Sequence, residues 1–389
     1  MKFFNLRLIA VLALSTILLV GSVGSAFAQE QGRGSNFSRT QRLNEVFSAK
    51  VPEMEFDFEQ LHPGESISLS VVAIKTLQGF SGSTYTLAEL APSGYIILHD
   101  ESGLFVEHSA RSPSPYAGLD AGLYYAGPTG YYYKDGLEYR HTVITEVFTQ
   151  ADEAGLAVVA DELYQSLMQN ADVDVADYIS GKTATYPAGL RTITYSTYTR
   201  INSYPFFTQM SKCGQVSIGN GVCGYIAAAM LLAWKHDVSG DLYYTLGWLT
   251  YDNGRAEIDN AFTSFLYSIG VGLGYGTGTT ASQIKNVVES YLQAVGRNNV
   301  THHMSQPGTN GGIVGHLNSD RPVLWFGAII NYDQINNSNG KFDPMLHAVT
   351  VYGHKSVALI GTSYLAHFGW DGWNEVTFNG VLGGYYTIS

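Results

Sequence analysis

The sequence predicts an α+β fold in which a sheet-rich first part precedes a second part that opens with helices and closes with strands. Helical spacing in the second part occurs at residues 224–234, 256–269 and 280–295. After residue 320, short apolar and β-branched runs alternate with turn residues. The 27 tyrosines and 43 glycines also favour strands and turns over long helices.

The N-terminus has the pattern of a secretory signal peptide. Lys2 and Arg7 lead into an apolar run, Leu8–Val20, and small residues then end at Ala26–Ala28. The run is short for a transmembrane helix, which needs about 20 apolar residues. We therefore expect cleavage after Ala28, a secreted protein of bacterial type, and no membrane span.

The remaining composition is that of a globular chain with about two domains, since 389 residues less the 28 of the signal leave 361. Hydrophobic residues make up 45% and charged residues 14% of the sequence. The net charge of −12 argues against nucleic acid or an anionic membrane surface as a partner. The sequence implies no cofactor.

The first part divides into stretches of different character. Residues 29–50 are polar and predict a poorly ordered start, and residues 51–149 contain strand-like aromatic runs split by Ser, Gly, Asp and Pro. The stretch 151–170 has helical spacing with acidic residues early. The polar segment 172–189 predicts a linker. A boundary near 175–195 separates a region 29–190 from a domain 191–389.

The second part predicts one strongly apolar helix and a series of strands. The helix covers Gly224–Trp234 and is apolar on all faces, which is typical of a helix buried in its domain. The stretch "NNVTHHMSQPG" predicts an exposed turn. The strands are expected at 321–330, 347–353, 357–361, 364–370 and 374–380.

Cys223 begins that helix, and three interpretations of it are open. It can be a small buried hydrophobe, or it can bridge to Cys213, the only other cysteine, across a short loop. It can also be a nucleophile, because Gly221 and Gly224 allow close backbone approach and the positive end of a helix favours thiolate. Such a nucleophile needs a histidine partner.

His347 opens the strand "HAVTVYG", and "YLAHFGWDGW" follows. Together with "GVCGYIAAAMLLAW" these motifs resemble the papain-like cysteine peptidases, in particular the secreted bacterial streptopain-type branch, over roughly residues 200–380. The resemblance implies a buried central helix carrying the cysteine and an antiparallel sheet carrying the histidine. It also implies that residues 29–190 are a sheet-rich pro-region, which acts as an intramolecular inhibitor of the domain 191–389.

The resemblance further assigns roles residue by residue. Cys223 would be the nucleophile and His347 its general base and later acid, acting on a peptide or protein substrate. His367 stands where the family has an asparagine that orients the histidine, and Asp371 is the alternative. Trp370 and Trp373 would shield the ion pair or only pack. The oxyanion donor would be Gln215, with Gln209 and Asn220 as alternatives.

Two other classes of function compete with the peptidase. Histidines and acids including His302, His303 and His354 could supply zinc ligands, but no HExxH motif, CxxC motif or tight paired spacing is present. The second alternative is a catalytically degenerate papain-like scaffold that serves as a secreted binding or adhesion module. A reactive thiolate at Cys223 distinguishes the peptidase from this scaffold.

Overall fold

A computed structural model describes residues 37–143, 147–149, 153–187, 196–210, 222–240, 249–252, 255–258, 260–277, 279–305, 312–327, 347–357, 361–379 and 384–389. The expected signal peptide lies outside the described residues. Residues 39–389 form one compact unit. Within the described residues, no helix is both long enough and apolar enough to cross a membrane.

The unit is built from helices and short strands. The described helices are α1 (Arg39–Leu61), α2 (Glu153–Gln169), α3 (Val173–Ser180), α4 (Tyr204–Gln209), α5 (Cys223–Ser239), α6 (Asn260–Gly272), α7 (Ala281–Ala294) and α8 (Ile313–Asn318). The described strands are β1 (Ser70–Gly79), β2 (Thr84–Ala91), β3 (Tyr95–His99), β4 (Leu104–Ser109), β5 (Leu123–Tyr125), β6 (Tyr131–Asp135), β7 (Glu138–His141), β8 (Val147–Thr149), β9 (Thr199–Arg200), β10 (Leu249–Asp252), β11 (Arg255–Ile258), β12 (His302–Ser305), β13 (Val323–Phe326), β14 (Ala348–Val357), β15 (Gly361–His367), β16 (Val376–Asn379) and β17 (Gly384–Ile388).

Fifteen of these strands form one sheet. Its order is β12-β17-β13-β14-β15-β16-β4-β3-β2-β1-β5-β6-β7-β8, with β9 paired to β14. The sheet is mostly antiparallel, and β1 with β5 is a parallel pair. Helices combined with a large, mostly antiparallel sheet confirm the α+β prediction.

The sheet joins the two parts of the chain, which we call the upstream segment (residues 39–187) and the downstream segment (residues 196–389). The join is the pairing of β4 with β16, in which His108 faces Thr377 and Glu107 faces Phe378. One apolar core also includes buried residues of both segments, among them Tyr131 and Trp373. The boundary near residue 190 stays a prediction.

Helix α1 corrects the expectation of a poorly ordered start followed by strands. Its apolar face is buried at spacings of three and four residues, which is the periodicity of an amphipathic helix. The buried apolar residues of that face are Leu43, Val46, Phe47, Val51, Met54, Phe58 and Leu61. Pro52 lies inside the helix at an exposed position.

Helix α3 lies within the segment that we expected to be a linker. The Asp172 side chain accepts a hydrogen bond from Val175 N and caps the start of the helix. Gly181 ends it in the left-handed conformation, at φ 81°. These two caps stabilise a helix of only eight residues.

Three further elements differ from the predicted ones. The helix expected from residue 256 begins at Asn260, since 255–258 form β11. His302 and His303 lie in β12, which pairs with β17, and not in an exposed turn. Strand β14 continues through residues 354–356, where a break was expected between the strands 347–353 and 357–361, because Lys355 is buried and bonds Glu53 and Asp57 of α1. Residues 358–360 of the second expected strand lie outside the described residues.

Candidate active site

Helix α5 carries Cys223 as its first residue. The residues from Gly224 to Trp234 are all buried, as the apolar sequence predicts, and Cys223 itself is half-buried. The helix ends at Gly240, which adopts φ 64° and donates its N–H to His236 O at 2.9 Å. The cysteine therefore lies at the positive end of a 17-residue helix that is buried from Gly224 to Trp234.

Gly224 lets this end of the helix approach its neighbour closely. A Cβ at this position would lie 2.3 Å from Thr279 Oγ1 and 3.0 Å from Ile284 Cγ1. A Cβ atom essentially never lies within 3.0 Å of a non-bonded atom, so a side chain at this position would require Thr279 to move. Glycine avoids this clash. The glycine after the cysteine thus has a packing reason in α5 itself.

His347 directly precedes β14, and a backbone carbonyl orients its ring. Its Nε2 lies 2.7 Å from Phe368 O. Because a carbonyl oxygen only accepts, Nε2 carries the proton and the neutral ring keeps a lone pair on Nδ1. Burial lowers the pKa of His347 to about 4, although its hydrogen bond to Phe368 acts in the opposite direction.

Two contacts show how α5 runs against the sheet. Thr350 Oγ1 lies 3.6 Å from Met230 Sδ, and a Cβ on Gly369 would lie 3.2 Å from Ile226 Cγ2. Thr350 pairs with His367 in the antiparallel β14–β15 ladder, so Gly369 lies beyond Thr350, towards the start of β14. The helix therefore runs parallel to β14.

This direction brings Cys223 and His347 to the same end of the two elements. Cys223 precedes Met230 by seven residues, which is about 10 Å of helix. His347 precedes Thr350 by three residues, which is about 10 Å of extended chain. Met230 contacts Thr350. Cys223 and His347 therefore both lie about 10 Å from that contact, in the same direction along α5 and β14.

A tight turn after β15 supplies the carbonyl that binds His347. Phe368 N donates to Trp373 O at 2.8 Å, and Trp373 N donates to Trp370 O at 3.1 Å. Gly369 adopts φ 80° within the turn. The Trp370 ring packs on the His347 ring at a centroid distance of 4.5 Å.

His367 connects this turn to the end of α4 through its two ring nitrogens. Its Nδ1 accepts from Gly369 N at 2.9 Å, so Nε2 carries the proton and donates to Met210 O at 3.1 Å. The side chain is fully buried, and burial lowers its pKa to about 4. His347 is thus bound by the carbonyl of Phe368 and not by the side chain of His367. His367 holds the turn that contains Phe368.

Aromatic residues of the upstream segment cover the turn. The His141 ring lies 5.5 Å from Trp370, and the Tyr131 ring lies 6.2 Å from Trp370 and 5.5 Å from Trp373. Tyr95 also packs on Trp373, at 5.6 Å. Both tryptophans are less than 5% exposed. The predicted pro-region therefore contacts the candidate site through this aromatic surface.

A buried carboxyl group lies beneath the aromatic surface. Glu107 is fully buried and accepts hydrogen bonds from the hydroxyls of Tyr95, Tyr131 and, at 3.1 Å, Tyr125. Burial raises the pKa of Glu107 to about 7, although the three tyrosine hydrogen bonds lower it. Sequence reasoning missed this residue, because its carboxyl group lies within a strand that reads as an ordinary amphipathic one.

The remaining predicted residues are distributed as follows. Gln215, Asn220 and Cys213 lie outside the described residues, so the oxyanion donor and the alternative disulfide stay predictions. Gln209 is the last residue of α4. Asp371 is exposed in the turn. Within the described residues, no group of three or more His, Cys, Asp or Glu side chains could hold a metal ion.

Comparisons with known proteins give no relative for this chain. It matches no protein-family model, no curated protein and no solved structure. Its function therefore has to be inferred from the residues and the geometry described above.

Proposed function

We propose that this protein is a secreted cysteine peptidase, synthesised as a latent precursor with a papain-like catalytic domain. The observation that carries the proposal is the shared position of Cys223 and His347 at one end of α5 and β14. A thiol at the positive end of a buried helix, with an imidazole held in a fixed tautomer, is the arrangement that thiol nucleophiles need.

The proposed reaction is acyl transfer to Cys223. His347 Nδ1 takes the thiol proton, and the thiolate attacks the carbonyl carbon of a peptide bond. The imidazolium then gives its proton to the leaving amine as the C–N bond breaks, which leaves a thioester on Cys223. Water, deprotonated by His347, hydrolyses the thioester and restores the thiol.

The carbonyl of Phe368 has the orienting role in this mechanism. It keeps the Nε2 proton in place, so that the basic lone pair stays on Nδ1. It also stabilises the imidazolium that forms, because a hydrogen bond to an acceptor favours the charged ring. Backbone amides at the start of α5 and the predicted amide of Gln215 would stabilise the oxyanion.

Latency follows from the aromatic surface of the upstream segment. In the closed chain the His347 ring lies beneath Trp370, and burial keeps it neutral. An imidazole whose pKa is lowered in this way takes the thiol proton less readily, so burial disfavours the thiolate–imidazolium pair. The upstream segment therefore acts as an intramolecular inhibitor, as the pro-region prediction requires.

The test is the reactivity of Cys223 as a function of pH. The purified protein is labelled with iodoacetamide between pH 5 and 9, with Cys223→Ala as the control for labelling at Cys213. After limited proteolysis to release the upstream segment, Cys223 should react below the pH at which an ordinary thiol does, and casein turnover should be lost in His347→Ala. If Cys223 labels with the pH profile of an ordinary thiol and casein is not cleaved, the peptidase proposal is contradicted. The catalytically degenerate binding scaffold is then the remaining alternative.

A further inference from the structure

We propose that His141 and His347, which both pack on Trp370, form a proton-sensitive latch that holds the upstream segment over the candidate site. His347 belongs to the downstream segment, whereas His141 is the last residue of β7 in the upstream segment. Their ring centroids lie 4.5 Å and 5.5 Å from that of Trp370. The indole thus contacts two imidazoles, one from each segment.

The hydrogen bonds of His141 require the neutral ring. Nε2 lies 2.7 Å from Thr129 O, which only accepts, so Nε2 carries the proton. Nδ1 accepts from Val143 N at 3.1 Å. A second proton on Nδ1 would oppose the Val143 N–H and break that bond. His141 therefore cannot take up a proton without a rearrangement of its end of β7.

The groups that face the two rings reinforce this preference. Tyr131 and Tyr132 of β6 pack on His141, at 5.9 Å and 5.1 Å. Burial lowers the pKa of His141 to about 4, the hydrogen bond to Thr129 acts against this, and the positive form of His347 lowers it further. A proton on one imidazole therefore disfavours the closed contact and also repels a proton on the other.

Glu107 acts in the opposite direction beneath the latch. Its carboxyl group is bound by Tyr131, and its raised pKa of about 7 means that the closed state takes up a proton there as the pH falls. The total pH dependence of opening is therefore a sum of opposing contributions. The contribution of His141 is isolated by comparing the wild type with a variant that lacks only this imidazole.

The magnitude follows from linkage. If the pKa of an imidazole is about 4 when the latch is closed and about 6.5 when it is open, the opening constant rises about 20-fold between pH 7 and pH 5. His141→Gln keeps a polar side chain but removes this titration. The increase in opening from pH 7 to pH 5 should therefore be about 20-fold smaller in His141→Gln than in the wild type.

The experiment is hydrogen–deuterium exchange of the full-length protein, read by mass spectrometry on the peptide 367–374. In this turn the amides of Phe368, Gly369 and Trp373 are hydrogen-bonded when the latch is closed. Rates are corrected for the intrinsic pH dependence of exchange. His99→Gln is the matched control, since His99 is a buried histidine of the same upstream sheet that bonds Ser102 and packs on Tyr85. It should keep the wild-type dependence.

Several outcomes would overturn the latch. One is a His141→Gln dependence equal to that of the wild type, and another is a His99→Gln control that loses the dependence as His141→Gln does. If His141→Gln does not fold, selective ¹³Cε1-histidine NMR of the wild type decides, because a His141 resonance that titrates at pH 6 or above contradicts a latch held by the neutral ring. The consequence for activity depends on the proposed peptidase, but exchange in Cys223→Ala does not. The latch can therefore be confirmed even if the peptidase proposal is wrong, and the peptidase proposal can be confirmed even if the latch is wrong.

Discussion

The cluster around Lys355 gives the most specific prediction about the join between the two segments. Lys355 lies in β14 and is 1% exposed, with Nζ 2.7 Å from Glu53 Oε1 and 2.5 Å from Asp57 Oδ2, both on α1. Its ammonium also lies 4.9 Å from the centre of the Tyr198 ring. The variant Lys355→Met keeps much of the side-chain volume and removes the only charge that Asp57 bonds in this cluster.

The expected cost can be estimated from these contacts. Removal of one partner from a buried ion pair costs about 3–5 kcal/mol, because the other charge is left uncompensated. Glu53 retains Lys50, whose Nζ lies 2.6 Å from Glu53 Oε2, so the main loss falls on Asp57. We therefore expect a decrease of about 3 kcal/mol in the free energy of unfolding for Lys355→Met. Addition of Asp57→Asn should recover part of this loss, since it removes the unpaired charge.

Urea denaturation followed by tryptophan fluorescence measures the effect. Lys182→Met is the control, because Lys182 lies 3.0 Å from Asp177 with 73% of its side chain exposed. An exposed pair contributes about 0–1 kcal/mol. A Lys355→Met variant no less stable than Lys182→Met would refute the role of the buried cluster, and so would a double variant less stable than Lys355→Met alone.

Three further predictions concern packing and pH. Gly224→Ala should lower the free energy of unfolding by about 1–3 kcal/mol, because its Cβ would lie 2.3 Å from Thr279 Oγ1, whereas Gly315→Ala in α8 meets nothing within 4 Å and should be neutral or stabilising in the same thermal melts. For Glu107, the raised pKa of about 7 gives stability that is present below about pH 4.5 and is lost as the pH rises through 7. The wild type should therefore lose about 2.4 kcal/mol between pH 5 and pH 7.5 relative to Glu107→Gln, and parallel urea curves would contradict this. For His367, the lowered pKa of about 4 gives stability that is present above about pH 6.5 and is lost as the pH falls through 4. His367→Phe should lack this acid-dependent loss, and an unchanged loss between pH 6.5 and pH 4.5 would assign it to other groups.

The elements that the sequence predicted well are those with a strong local pattern. The stretch Gly224–Trp234 of helix α5 is apolar on every face, which is visible in the residues alone, whereas the polar last residues up to Ser239 were not included in the prediction. The strand after His347 is a run of β-branched and aromatic residues, which needs no tertiary information to be recognised. Local signals were also present for α3, since an aspartate caps its start and a glycine ends it, but the polar composition around them favoured a linker.

The missed elements depend on contacts between residues far apart in the sequence. Lys355 interrupts an apolar strand and predicts a break, but Glu53 and Asp57 compensate its charge from a helix about 300 residues earlier in the chain. In the sequence, these two acids together with Lys50 and Pro52 make the stretch of α1 look polar and irregular. Each pattern is anomalous alone, and only their pairing accounts for both.

The orientation of His347 has no sequence signal at all. A side chain that orients a catalytic ring can be sought by residue type, whereas every residue has a backbone carbonyl. The bond to Phe368 O becomes recognisable only when the turn that presents the carbonyl is known. The family resemblance leads instead to His367, which directly precedes Phe368 in the chain and accepts a hydrogen bond from Gly369 N.

The proposed mechanism connects latency with the electrostatics of His347. Catalysis requires that the imidazole accept a proton from Cys223, and burial beneath Trp370 opposes the charged ring. The upstream segment would therefore suppress the chemistry even without occupying the substrate cleft, because His141 and Tyr131 keep Trp370 in place. Release of the upstream segment would, on this mechanism, expose His347 to water and raise its pKa towards the ordinary value. On this mechanism, one movement both opens the latch and restores the basicity that the nucleophile needs.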